Sequence, residues 1–137
     1  MSQRVTGPFE VKVTPQKPDT QIARAANLGR FTIDKRYHGE LEATAKGEML
    51  AAQTDVKGSA GYVALERVTG TLEGRSGSFI LQHSATMSRG TPQLSISVVP
   101  DSATGQLKGL TGTMLITIAA DGAHSYQLDF RLEPPPP

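Results

Sequence analysis

Gly70–Met87 reads GTLEGRSGSFILQHSATM, and it contains the parts a hairpin-built sheet needs. Glycines stand where the chain must turn tightly. From Phe79 onward apolar and polar residues alternate, which is the period of a β-strand with one buried face. Phe79, Leu81, His83, Ala85 and Met87 share one face, and Ile80, Gln82 and Ser84 share the other. The opening Gly-x-Leu motif recurs on either side, in Gly39–Ala43 (GELEA), Gly70–Gly74 (GTLEG) and Gly105–Gly109 (GQLKG). In each copy the central leucine (Leu41, Leu72, Leu107) is expected to point inward while the glycines let the strand bend. Three such copies read as equivalent bends around one barrel.

Working outward, the same alternation appears at Phe9–Val13, Phe31–Ile33, Val63–Leu65, Leu94–Val98, Met114–Ile118 and Tyr126–Leu132. About eight strands follow, near 8–14, 28–38, 40–53, 60–72, 77–87, 92–100, 112–120 and 124–132. Asp121-Gly122, between the last two, predicts a hairpin with a type I′ turn, because both residue types tolerate positive φ. Asp19–Leu28 (DTQIARAANL) offers a short helix as an alternative, capped at Asp19 or Thr20 and stopped at Gly29. The expected fold is all-β: a single antiparallel barrel of about eight strands, lipocalin-like in general shape, over residues 1–133. Pro134–Pro137 cannot join a central strand and is expected to form a disordered tail. Several strands carry apolar residues on both faces, Val63 and Leu65 against Tyr62 and Val68 among them. A homo-oligomer, dimer or higher, is therefore expected.

Bulk properties remove whole classes of function. The chain has 137 residues, a net charge of +1 and no cysteine. Interspersed charges argue against nucleic-acid binding. The missing cysteines exclude disulfides, thiolate metal sites and thiol nucleophiles. No apolar segment resembles a signal peptide or a transmembrane helix, so a cytoplasmic location without membrane association is expected. No Gly-x-Ser-x-Gly elbow, Ser-x-x-Lys pair or phosphate-binding loop occurs. The three histidines are far apart in sequence with no His-x-His pair, so neither a metal nor another cofactor is expected.

Five residues remain as candidates for a site. His83 lies on an apolar strand face. If that face lines the barrel, the ring is either a tunable acid–base group or a hydrogen-bonded core histidine. Glu66 shares a face with Tyr62, Ala64 and Val68. Inside, it needs a partner or a raised pKa and becomes the best general acid or base; outside, it pairs with Arg67 or Arg75. His124 shares its face with Tyr126, Leu128 and Phe130 and, just after the last turn, sits near a barrel mouth; His38 ends a strand beside Gly39 and is expected to be exposed. The expected ligand contacts are Tyr62, Glu66, His83, His124 and Tyr126, with Glu66 and His83 as catalytic candidates.

The run YVALERVTGTLEGRSGSFILQHSATM, then VVPDSATGQLKGLTG and HSYQLDF, resembles the bacterial family of domain of unknown function 3224 from about Gly39 to Phe130. Ala85 and Ala103 depart from it, standing where that family more often has glycine. The resemblance implies a small barrel related in fold to allene oxide cyclase and dirigent-type proteins. It implies no reaction, because function resides in the site and not in the barrel. Three functions are carried forward. The first is binding of a small apolar or amphipathic ligand inside the barrel. The alternatives are a cofactor-independent isomerase- or cyclase-like enzyme, and an interaction module whose barrel is filled solid.

Overall fold

The computed structural model of the chain describes residues 2–132, and the expected tail 134–137 lies outside them. Eight strands follow one another around a closed antiparallel barrel: β1 (Ser2–Gln16), β2 (Gly29–Tyr37), β3 (Leu41–Gln53), β4 (Ala60–Leu72), β5 (Arg75–Ser88), β6 (Thr91–Val98), β7 (Leu110–Ile118) and β8 (His124–Leu132). β8 pairs back onto β1, from Ser2↔Arg131 to Phe9↔His124. Closure explains why β1 starts earlier than its alternation suggests. Ser2–Pro8 pairs with the far end of the sequence, and Val5 supplies its inward, buried side chain. Among the described residues no helix is long and apolar enough to cross a membrane.

The two ends of the barrel differ. The β2–β3, β4–β5 and β6–β7 connections share one end, and each carries a copy of the Gly-x-Leu motif. Leu41, Leu72 and Leu107 are all fully buried there, with Phe79, Leu110 and Phe130. Leu107 rides on a 3-10 turn, Gly105–Leu107, that folds over β5. A Cβ at Gly77 would lie 3.2 Å from the Leu107 Cγ, so the missing side chain at Gly77 lets that plug seat.

The opposite end is open. It carries the β1–β2, β3–β4, β5–β6 and β7–β8 connections. In the first of these, the alternative helix is the outcome, as α1 (Gln21–Ala26). Thr20, not Asp19, caps it by accepting from the Ala23 amide at 3.0 Å. Asn27 stops it in the left-handed region before Gly29 is reached. The Asp121-Gly122 hairpin forms with a different turn from the one expected. Ala119 and Ala123 close a three-residue loop, and only Gly122 has positive φ. That is a type I turn followed by a left-handed glycine, and Asp121 Oδ1 stabilises it by accepting from the Ala123 amide.

One seam is weak. β6 and β7 pair at the single position Ser97↔Thr113, whereas every other neighbouring pair runs for eight positions or more.

Candidate functional site

The faces resolve as alternation requires. Glu66 on β4 and His83 on β5 both point into the barrel and are buried, so Glu66 does not pair with Arg67 or Arg75. Gln82 and Ser84 face solvent. From β2 come two residues that the sequence reading did not single out, Lys35 and Tyr37. Both follow Phe31 and Ile33 on the inward face. A lysine on a row that is otherwise apolar is the signal that could have found them.

Strand β3 separates β2 from β4, and its inward row explains how the groups meet. Register places Tyr37 opposite Ala43, Lys35 opposite Ala45, and Gly47 opposite Glu66. These small residues leave space for the lysine and tyrosine to reach across β3. A Cβ at Gly47 would collide with the Leu65 carbonyl and approach Glu66 Cα to 2.8 Å, so the pairing depends on glycine there.

The result is a sealed polar cluster around one carboxylate. Glu66 Oε2 accepts from Lys35 Nζ at 2.8 Å and lies 2.7 Å from His83 Nε2. Glu66 Oε1 accepts from the Tyr37 hydroxyl. Lys35 Nζ also donates to that hydroxyl at 3.2 Å and sits 4.9 Å above the centre of the Phe9 ring. Among the described residues no buried side-chain polar atom lacks a partner, as expected where the dielectric is low.

Burial alone would raise the Glu66 pKa, but the His83 hydrogen bond and the Lys35 charge outweigh it and hold the group at about 2. Glu66 is therefore a fixed anion and a poor proton acceptor near neutrality. This argues against the acid–base role expected for it and leaves that role to His83. Burial, then the Glu66 charge, pushes Tyr37 well above its usual value, so its hydroxyl stays protonated.

The remaining candidates lie at different levels. Tyr62 is half-buried, two inward positions nearer the open end than Glu66; burial and the Glu66 charge raise its pKa. It lines a cavity of about 750 Å³ in the mouth, together with Met49, Ala85, Met87, Leu94 and Ile118. His83 is the next inward residue after Ala85 on β5, one position deeper in the barrel than the residues that line this cavity. His124 is half-buried, its ring 5.2 Å from that of Phe9. Tyr126 turns away from the mouth. Its hydroxyl donates to the His38 carbonyl at 2.8 Å and accepts from the Leu41 amide at 3.2 Å, tying β8 to the β2–β3 turn. His38 is half-exposed and paired with Glu10 at 2.7 Å.

A second concavity, of about 940 Å³, lies on the outer surface of β3, β4 and β5. Leu50, Val63, Leu65 and Ile80 line it. Glu66 and His83 border it only from behind, since their side chains point to the other face of the sheet. Among the described residues no cluster of three or more His, Asp or Glu side chains is placed to hold a metal ion.

Comparison with known proteins adds family and fold. The model of one protein family, described as a protein of unknown function (DUF3224), matches residues 5–130. A crystal structure from Shewanella oneidensis MR-1, of a protein with unknown function from the same family, superposes with a TM-score of 0.88 at 48% identity. That match covers 98% of this chain and 100% of the other. No curated protein matches.

Proposed function

Since the chain belongs to the DUF3224 family, whose description names no activity, we propose from its geometry that it binds one small apolar or amphipathic molecule in the barrel mouth. One observation carries this reading: a cavity of about 750 Å³ opens in the barrel mouth, lined by Met49, Tyr62, Met87, Leu94 and Ile118. A barrel of eight strands is wide enough to hold one small guest when its interior is not filled. Here the closed end is filled with leucine and phenylalanine, and the inward rows of β4 and β5 turn polar at Glu66 and His83. Apolar walls supply affinity by excluding water, and the few polar side chains that line the cavity, Tyr62 among them, orient the guest.

The test is native mass spectrometry of protein purified from its own host, with small molecules identified after denaturation. The expected result is one apolar compound per chain. A solvent-filled cavity in every preparation, with no mass shift on soaking in apolar compounds, would sink the reading.

We also propose that the chain self-associates through the outer surface of β3–β5. Val63 and Leu65 are 54% and 53% exposed there, beside Leu50. An apolar row of this kind on an outer sheet face is a common site for a second copy.

A further inference from the structure

We infer that the guest of the mouth is peptidic: an extended segment with apolar side chains at alternate positions, whose backbone pairs with the free edge of β7. This rests on the binding reading above and specifies the chemistry of the guest. β6 and β7 are paired only at Ser97↔Thr113, and toward the mouth the ladder stops. The Val99 amide donates to the Ile80 carbonyl at 2.9 Å, in line with an unbroken β5–β6 register. Antiparallel bonding alternates along a strand. The odd-numbered residues of β6 therefore bond to β5, and the even-numbered ones turn their backbone groups toward β7. On the other side of the seam, the Ala119 amide donates to the Ala123 carbonyl at 2.8 Å, again in line with the β7–β8 register. By the same alternation Ile116 and Ile118 turn their amides and carbonyls toward β6, and neither has a register partner there.

The two edges of this gap are not equivalent. Pro92 holds an even-numbered place on β6, so its ring stands where a gap-facing donor would be, and that edge is blunted. β7 reads LTGTMLITI, with no proline and no charged residue. A strand edge left open in this way is a template for another strand. It also opens onto the cavity, since Leu94 on one flank and Ile118 on the other both line the mouth. Both residues are exposed, and both continue the inward rows of their strands.

Ile116 and Ile118 each present one backbone donor and one acceptor. Another extended backbone answers these groups at their own two-residue spacing. Residues directly opposite each other in an antiparallel ladder share a face. The guest residues bonded to Ile116 and Ile118 therefore send their side chains inward, toward the apolar wall that Leu94 and Ile118 supply. The residues between them point outward, on the side of Leu115 and Thr117. The sequence that fits alternates apolar and polar residues. A hydrocarbon or a simple alcohol fills apolar space and leaves this row of backbone groups unanswered.

The experiment is an NMR titration of the full 15N-labelled chain with acetyl-Thr-Val-Thr-Val-Thr-amide, followed by amide hydrogen exchange. The Ile116 and Ile118 amide protons should move downfield, and their exchange should slow by about tenfold or more at saturation. The same peptide N-methylated on both valines keeps the side chains and loses the donors. It should bind about tenfold more weakly. N-phenyl-1-naphthylamine, an uncharged apolar dye, reports on the cavity through its fluorescence, and the unmethylated peptide should displace it. Equal binding of the methylated peptide, or dye binding that the peptide leaves unchanged, would overturn the peptide inference and leave the cavity reading intact. So would protection of Ile116 and Ile118 that rises with protein concentration and needs no peptide, the mark of a second copy on this edge. Failure of dye and peptide alike to bind would overturn the cavity reading and the inference with it.

Discussion

Lys35 reaches from β2 over Ala45 of β3 to place its ammonium 2.8 Å from the Glu66 carboxylate of β4. The contact therefore crosses an entire strand inside the barrel. It also removes two charges from water, a cost that attraction offsets only while both partners are present. Lys35→Met should leave Glu66 buried with less compensation and destabilise the fold by about 3–5 kcal/mol. Lys35→Met combined with Glu66→Gln should lose clearly less than the sum of the two single variants. Urea denaturation of the four proteins measures this. Strict additivity would mean that the pair does not couple.

Acid should expose the same carboxylate. Glu66 titrates at about 2 in the folded chain against 4.5 for the free group. A depressed folded pKa contributes stability that is complete above 4.5 and is lost as pH falls from there toward 2. The amount is on the order of 3 kcal/mol. Glu66→Gln should flatten the stability curve across that window. A wild-type curve no steeper than that of the variant would contradict the assignment.

The plug at the closed end should matter for stability and not for binding. Leu107→Ala removes a fully buried side chain and should cost about 2–5 kcal/mol. Affinity of the mouth cavity for a small apolar probe should stay within about twofold, since packing changes far from a site usually act independently of it. Loss of affinity at full stability would be the contrary result.

Leu65→Arg adds a charge beside Val63 on the outer surface, which Arg30, Lys46, Glu48 and Arg67 also line. Sedimentation velocity should show the wild-type chain as an oligomer and the variant shifted to monomer. Its melting temperature should fall only to the extent that assembly supports it. A monomeric wild-type chain at micromolar concentration removes the self-association proposal.

Hydrogen exchange should find the weak seam. β6 and β7 share one paired position, so their amides are held by fewer sheet bonds than those of β3 and β4. Exchange along Thr91–Leu94 and Thr117–Ile118 should be the fastest of any strand segment outside the terminal residues. Equal protection around the barrel would show the seam to be as tight as the rest.

Seven of the eight strands were legible because they show the two-residue period of a half-buried sheet; Phe79–Met87 is the clearest case. The Leu41, Leu72 and Leu107 turns were legible because glycine and an inward leucine repeat at similar spacing. Half of the polar cluster was visible as well, since Glu66 and His83 each interrupt an apolar face. The other half was not. Lys35 and Tyr37 meet Glu66 only because β3 carries Ala43, Ala45 and Gly47 at matching register, and local periodicity says nothing about register between strands. Tyr126 shows the same limit. Its face was read correctly, but the direction of its ring follows from Gly7 on the paired strand, where a Cβ would lie 2.8 Å from the Tyr126 hydroxyl oxygen.

The three leucine-centred turns all anchor one rim, while residues 54–59 and the Pro92–Leu94 segment border the cavity at the other. Substitutions in the free rim leave the anchored rim and its packing untouched. The barrel is thus a chassis with an exchangeable front. Loop and strand-end residues at the free rim are therefore the positions where the mouth can change shape at least cost to the packing that folds the chain.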